Sequence, residues 1–384
     1  MPREYTDRVK LVLKAGLSTR EKQVIKDSFL MRMGLERGMS KNLSTEKKME
    51  IPFDHASYDH IDRLRLQADK QKLKQDQQDD ALRKLASELK KQIPTMSEDN
   101  LDTIRAWFND SRNQAAIQNI EQLDLCGKEL EVIPNEVFAF VNFRELNLSS
   151  NAITDIPVEI AVLVDLENLW LAENKITEIP SEIAFLVSLH QLWLAENQIA
   201  LFPPEITALE NLQQLWLSGN QISKIPAEIG ALVNLKELSL SDNQLTLIPP
   251  EIATLIKLQE LDLCENQISV IPAAIEALVS LHWLDLRENQ IARIPAEIIS
   301  LVDLRILWLD DNLIEEIPTE ITKLLNLTEI RLPGNQISVI PVGVAALVNL
   351  RRLSLERNNI AEVPLEVQAI RNRVQIELKG NPLL

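Results

Sequence analysis

One periodicity constrains this chain more than anything else in it. Residues 166–188 read LENLWLAENKITEIPSEIAFLVS, and the same spelling returns every 23 residues. Copies begin at Ile120, Phe143, Leu166, Leu189, Leu212, Leu235, Leu258, Leu281, Leu304, Leu327 and Leu350, and a partial twelfth begins at Arg373. A repeat of this length means a solenoid, because one copy cannot bury its own apolar face and must stack on its neighbours. Counting from the first residue of each copy, positions 4 and 6 are apolar and two apart, so they share one face of a short strand. Position 6 is Leu in every copy, from Leu125 to Leu378. Position 9 is Asn from Asn151 to Asn381, and only Lys128 departs. A buried amide there is expected to pair backbone groups of its own turn and of the next coil.

The I-P-x-E-I run follows the Asn. Pro fits the first turn of a helix, or an extended approach to one, and is excluded from mid-strand. Apolar residues three apart, such as Ile183 and Leu186, then share a face of one helical or 3-10 turn. These residues resemble the leucine-rich repeat of the 23-residue class with an I-P-x-E-I tail, over residues 120–384. The resemblance implies an α/β solenoid: a curved leucine-rich repeat with a parallel, concave sheet. Similar repeats occur in eukaryotic Ras-pathway scaffolds and in secreted effectors of intracellular bacteria. The stretch IRAWFND (104–110) leading into NIEQLDL is closer to the bacterial group. Some bacterial effectors with similar repeats carry a cysteine-dependent ubiquitin ligase domain after them. No such residues follow here, so that activity is not carried over, and no enzyme is expected.

The segment before the repeats reads as all-α. Residues 4–15 and 19–33 are helical in pattern, ended by Gly16 and Gly34, and the polar residues 38–56, broken by Pro52, form a loop. From Tyr58 to Ile93 the pattern is helical again, with Leu82, Leu85, Leu89 and Ile93 on one face. Its middle (67–80) is nearly all polar, and is either an exposed part of one long helix or a break between two. Residues 97–118 read as an amphipathic helix opened by a Thr95/Glu98 capping box. Ile104, Trp107, Phe108 and Ile117 are placed to cover the open first coil, as a solenoid end requires. The expected organisation is a helical N-terminal domain (1–93), a capping helix (94–119) and the repeat domain (120–384). At the far end Arg373 stands where Leu belongs, and Arg371 and Arg373 can blunt the apolar end.

Charge is uneven. Residues 1–119 hold 23 Lys/Arg against 19 Asp/Glu, whereas residues 120–384 hold 17 against 38. A repeat domain this acidic repels nucleic acid and anionic lipid and favours a basic partner. Part of the acidity is structural: nine of the eleven full copies carry Glu at position 17, in the first turn of the short helix, where it offsets the helix dipole. MPREYTDRVK has no apolar signal segment, and no apolar run is long enough to span a membrane. Cys126 and Cys264 lie six coils apart, too far to bridge, which agrees with a reducing, cytoplasmic setting. A bacterial protein delivered into a host cytosol has the same profile.

The strand positions that are not apolar (3, 5, 7 and 8) face the concave side in this fold. Position 5 holds Trp170, Trp193 and Trp216 in consecutive coils, and Trp308 further on; Trp283 is at position 3. Indoles about 4.8 Å apart on an open sheet face suit a protein partner, Trp being a leading hot-spot residue. The alternative is a ladder that only stiffens the sheet by stacking. Glu173, Glu196, Asp262, Asp285 and Asp310 border the stripe, so the expected partner is a protein with a basic and apolar surface. Catalytic and cofactor signals are weak. His55, His60, Asp54 and Asp59 match no metal spacing, and His190 and His282 are isolated. Neither cysteine has a His beside it in its strand, and nine scattered glycines make no phosphate loop. No cofactor and no metal are expected. A scaffold that binds a Ras-type GTPase, and an adaptor or enzyme activity housed in residues 1–93, are the other two readings.

Overall fold

The computed structural model describes residues 55–96 and 98–383, with side chains from residue 70 onward. The expected helices at 4–15 and 19–33, and nearly all of the 38–56 loop, lie outside the described residues. Each coil contributes one three-residue strand, from β1 (Gln122–Asp124) to β12 (Gln375–Glu377). The twelve strands form one parallel sheet in sequence order. The register is the 23-residue period itself, so Trp170 pairs with Trp193 and Trp193 with Trp216. A five-residue 3-10 turn lies across from each of the first ten strands, as at Ser181–Phe185, and α4 (Leu365–Ala369) takes that place between the eleventh strand and β12. Strands approach to about 4.8 Å while the bulkier turns do not, which leaves the sheet on the concave side.

Local chemistry explains each coil. Leu169 and Leu171 point inward and are fully buried, and their counterparts in the other full coils are buried too, while Ile376 in the partial last coil is only partly so. Pro180 sits one residue before its turn at φ −68°, ψ 149°, so it ends the extended segment and starts the helical one without needing an N–H. Ile183 then buries its side chain and Glu182 occupies the first turn.

Position 9 is the fastener. Asn243 Nδ2 donates to Leu240 O (3.2 Å) and Ser241 O (3.0 Å) in its own coil and to Leu217 O (2.9 Å) in the one before. Its Oδ1 accepts from Ile222 N (2.9 Å), also in the preceding coil. The amide thus reaches backward, not toward the next coil as the sequence alone led one to expect. That direction explains the one exception: coil 1 has no predecessor, and Lys128 pairs instead with Glu88 of the preceding helix (3.1 Å).

Position 8 carries a conformational demand that composition hides. Every coil from the first to the last full one turns there with positive φ, at Gly127, Gly219 and Gly334 but also at Glu173, Glu196, Asp242, Glu265, Glu288 and Asp311 (φ 50–56°). A non-glycine residue in the left-handed region costs on the order of 1 kcal/mol. At Gly219 a Cβ would meet only the movable carboxylate of exposed Glu196 (2.5 Å to Oε1), so the φ of 64° and not packing is what favours glycine there.

The N-terminal end is closed by helices. The segment left open as one helix or two is a single α1 (His55–Gln92). Leu82, Leu85 and Leu89 of α1 join the same continuous core as Leu123 and Val137 of the first coil. Gln78 fastens α1 to coil 1 by donating to Ile133 O (3.1 Å) and accepting from Asn135 N (3.1 Å). The single helix expected over 97–118 is in fact α2 (Leu101–Asn109), a 3-10 turn and α3 (Gln114–Gln118). Asp110 interrupts it by turning its carboxylate back to accept from Arg112 N (2.9 Å). The Thr95/Glu98 capping box does not form; Asn100 is the N-cap and accepts from Thr103 N (2.9 Å). Ile104, Phe108 and Ile117 are buried as expected, and Phe108 meets Phe140 edge-on at 5.8 Å. At the other end Arg373 reaches back to the tenth coil and donates to Leu347 O (2.9 Å) and Ala345 O (2.8 Å), while Val374 takes the apolar role.

Replacing Asn243 by Ala strands one N–H and three carbonyls between coils 5 and 6. The expected loss is about 2–4 kcal/mol, read as a lower urea midpoint. Gln244→Ala, at the exposed neighbouring position, is expected to leave the midpoint within error.

Candidate binding surface

Strand positions 3 and 5 point away from the core, and five of the six tryptophans stand there, half-buried. Trp193 and Trp216 stack with ring centroids 4.4 Å apart and planes 2° from parallel. Trp170 meets Trp193 at 5.7 Å, tilted by 55°. The parallel register places the three side by side, with small residues next to them (Ala172, Ala195, Ser218), and the indole Nε1 atoms of Trp170 and Trp193 are buried without a hydrogen-bond partner among the described residues. Asn168, Gln191 and Gln214 flank them at position 3, half-exposed. The sixth, Trp107, belongs to the cap and packs on Phe108.

Trp283 and Trp308 behave differently. They meet edge-to-face at 5.5 Å. Arg287 from the coil before and Arg331 from the coil after bring their guanidinium carbons to 4.7 and 5.3 Å from the Trp308 ring. Each arginine is itself held. Arg287 grips Asp285 through both carboxylate oxygens (2.6–2.9 Å), and Arg331 pairs with Asp310. Asp285 is wholly buried and Asp310 nearly so. These two carboxylates, expected at the partner surface from their strand positions, therefore face inward-bent arginines instead of solvent. The reason is geometric: residues two apart on a strand share a face, so Arg287 folds over Asp285. Glu173 and Glu196 are exposed, and Asp262 is half-buried, accepting from Ser239 Oγ (3.0 Å).

Burial, the larger cause, raises the Asp285 carboxyl above the ordinary carboxylate range even though Arg287 opposes it. Burial likewise pushes the Cys264 thiol up to about 12, with Asp285 adding to it, so this cysteine is no nucleophile at neutral pH. Glu265 is raised first by burial and then by repulsion from Glu288 and Asp242. Glu260 is raised by burial and by Glu237. His190 and His282 are half-buried and apart from each other, and among the described residues no three metal-ligating side chains converge. His55 and His60 lie in the backbone of α1, but their side chains, and Asp54, fall outside the described residues.

What this surface can do chemically is bind. It offers aromatic rings, amides and carboxylates, and among the described residues no nucleophile–base pair stands on the face. The repeats are recognised in their own right: a family model described as a leucine-rich repeat region matches residues 118–241, and a second, leucine rich repeat, matches 233–291 and 303–360. The chain is a leucine-rich repeat protein. Among solved structures it is similar to a leucine-rich repeat protein of Leptospira interrogans, at 27% identity and a TM-score of 0.53, over 71% of this chain and 93% of that one. It is also similar to the plant peptide hormone receptor RGFR1, solved in complex with RGF2, at 30% identity and a TM-score of 0.60. That match covers 65% of this chain but only 42% of the receptor, so the chain spans less than half of that relative. An internalin of Listeria monocytogenes shares the fold at 24% identity, with a TM-score of 0.52, over 77% of this chain and 94% of that one. No curated protein matches the chain. No helix among the described residues is long and apolar enough to cross a membrane.

Arg287→Met is expected to cost about 3–5 kcal/mol at neutral pH, because Asp285 is left buried without its counter-charge. A raised carboxyl pKa means that the folded state holds its proton to higher pH than the unfolded state does. Stability therefore falls as pH climbs from the unfolded value to the folded one. Urea midpoints at pH 4 and pH 7 check this: the variant should recover much of its deficit at pH 4, and a deficit equal at both pH values would contradict it.

Proposed function

We propose that this protein is a binding module, not an enzyme, and that it holds a partner protein against its concave sheet face through Trp170, Trp193 and Trp216. The observation that carries this reading is the stacked, half-buried indole ladder on a sheet face that no element among the described residues covers. Indoles so placed add little to the core, which positions 4 and 6 already fill. They are suited to a desolvated contact, where a Trp contributes 2 kcal/mol or more. Glu173 and Glu196 beside them, with Asp262 further along, favour a partner that is basic around an apolar patch and disfavour nucleic acid. Trp283, Trp308, Asp285 and Asp310 belong to the same face at its far end and brace it. The plant receptor relative, solved with RGF2, supports a polypeptide as the partner.

The finer reading is a bacterial effector that works on a host protein in the host cytosol. The IRAWFND stretch before the first coil and the similarity to the Leptospira protein support it. The test is capture from a host-cell lysate by the whole chain, quantified by mass spectrometry against the Trp193→Ala, Trp216→Ala double variant. The true partner should drop at least a hundredfold, since two hot-spot indoles together contribute about 4 kcal/mol. Circular dichroism melts should shift only slightly, because the stack itself stabilises by about 1 kcal/mol. A partner retained by the double variant would sink the reading.

A further inference from the structure

The concave face is not one surface electrostatically but two. In coils 3–7 (166–280), positions 3, 5, 7 and 8 hold seven carboxylates and no Lys or Arg. In coils 8–12 (281–384) the same positions hold seven carboxylates and five cations. The arginines of that second half are spent on their own neighbours. Arg287 holds Asp285, Arg331 holds Asp310, Arg352 bonds Glu377 at 3.0 Å and Arg357 bonds Asp311 at 3.1 Å. Among the described residues no Lys or Arg forms such a pair in coils 6 and 7. Glu237 accepts from the neutral Gln214 (2.8 Å) and Asp262 from the neutral Ser239 (3.0 Å). Asp242, Glu260 and Glu265 are exposed. Burial first, and then repulsion from neighbouring carboxylates, raises Glu260 and Glu265, against weaker opposition from His282 and Arg287 respectively.

The first half is divided again. Coils 3–5 carry the indole ladder, flanked by the amides of Asn168, Gln191 and Gln214. Coils 6 and 7 carry no aromatic residue at these positions and hold five of the seven carboxylates: Glu237, Asp242, Glu260, Asp262 and Glu265. An apolar platform therefore runs directly into an acidic one along the stack. Four coil steps of about 4.8 Å span ~19 Å, the reach of about six residues of extended chain. Charge complementarity selects the occupant. A surface whose carboxylates pair with no Lys or Arg among the described residues favours cations, and the position-3 amides can pair with the free backbone groups of an extended segment.

Resting on the proposed binding role of this face, we infer that coils 3–7 form the specificity site for a short extended basic segment of a partner protein. Its apolar side chains lie on Trp170, Trp193 and Trp216, and its Lys or Arg side chains lie over Glu260, Glu265 and Asp242. Coils 8–12, closed by their own ion pairs, stay outside the footprint. The Arg287–Trp308–Arg331 assembly is a brace that keeps the far half of the sheet occupied with itself.

A random eight-residue peptide library displayed on phage, selected against the whole chain at about 0.15 M salt, tests this. The expected pool pairs a cluster of apolar residues with Lys or Arg three to four residues away. Glu260→Gln with Glu265→Gln should erase the basic preference and keep the apolar one, and should weaken the best basic peptide at least tenfold. Trp193→Ala should do the reverse. Trp308→Phe should select the same pool as the wild type. Melting curves establish that each variant is folded, and the Gln replacements fall at exposed positions. A pool without Lys or Arg enrichment, the same pool from the Gln variant, or no enriched peptide at all overturns the inference. The broader binding role fails separately, when the Trp193→Ala, Trp216→Ala variant still captures the lysate partner; Trp-dependent capture without any peptide pool would leave that role standing and remove only the extended basic segment.

Discussion

One carboxamide per coil does what a hydrogen-bonded core element does in other folds. The turn after each strand buries backbone groups that neither sheet nor helix can pair. Asn174, Asn197, Asn220 and their successors to Asn358, each about 8% exposed or less, supply those pairs from the inside. An unpaired buried amide or carbonyl costs 1–3 kcal/mol, so a turn of this shape without the Asn would not compete with solvent. The leucines make stacking favourable, and the asparagines make the stack uniform. Hydrophobic burial is non-directional and would tolerate slippage; a side chain that must find two carbonyls at home and one carbonyl and one N–H next door does not.

That uniform interior releases the exterior. Because positions 4, 6 and 9 are satisfied within each coil and its neighbour, the outward positions of the strand answer to nothing in the core. The chain uses this freedom in opposite ways along its length. Coils 3–5 present indoles, coils 6 and 7 present carboxylates, and coils 8–12 cross-link their own charges. The left-handed residue at position 8 belongs to the same account. Glycine is the least strained choice there, yet six coils place Asp or Glu in it. The strain is modest per coil and sets a carboxylate at the rim of the sheet.

How far the sequence reveals this follows from what each feature depends on. Strand, turn and period are local and repeated, so the spelling around Leu169, Asn174 and Ile183 discloses them. The placement of the indoles outside the core follows from the alternation of Trp170 with Leu169 and Leu171. The pairing of Asp285 with Arg287 was also legible, since residues two apart on a strand share a face, and writing the coils in columns puts Arg331 beside Trp308. What stayed hidden involves competition. Asn100 outcompetes Thr95 as a cap, and Asp110 breaks a helix that periodicity alone would continue. The polar stretch of α1 stays helical because its C-terminal half is anchored by Leu82, Leu85 and Leu89 in the core of the first coils. The left-handed turn is masked wherever Glu stands in place of Gly.

The backward reach of the asparagines gives the molecule a polarity that a stack of near-identical coils would otherwise lack. Each coil is fastened by the one that follows it, as a roof tile is held by the overlap of its neighbour. A lesion therefore exposes backbone on the amino-terminal side of the damaged coil while the carboxy-terminal side keeps its own fastening. Two otherwise equivalent neighbours of one faulty repeat should open to solvent at different rates.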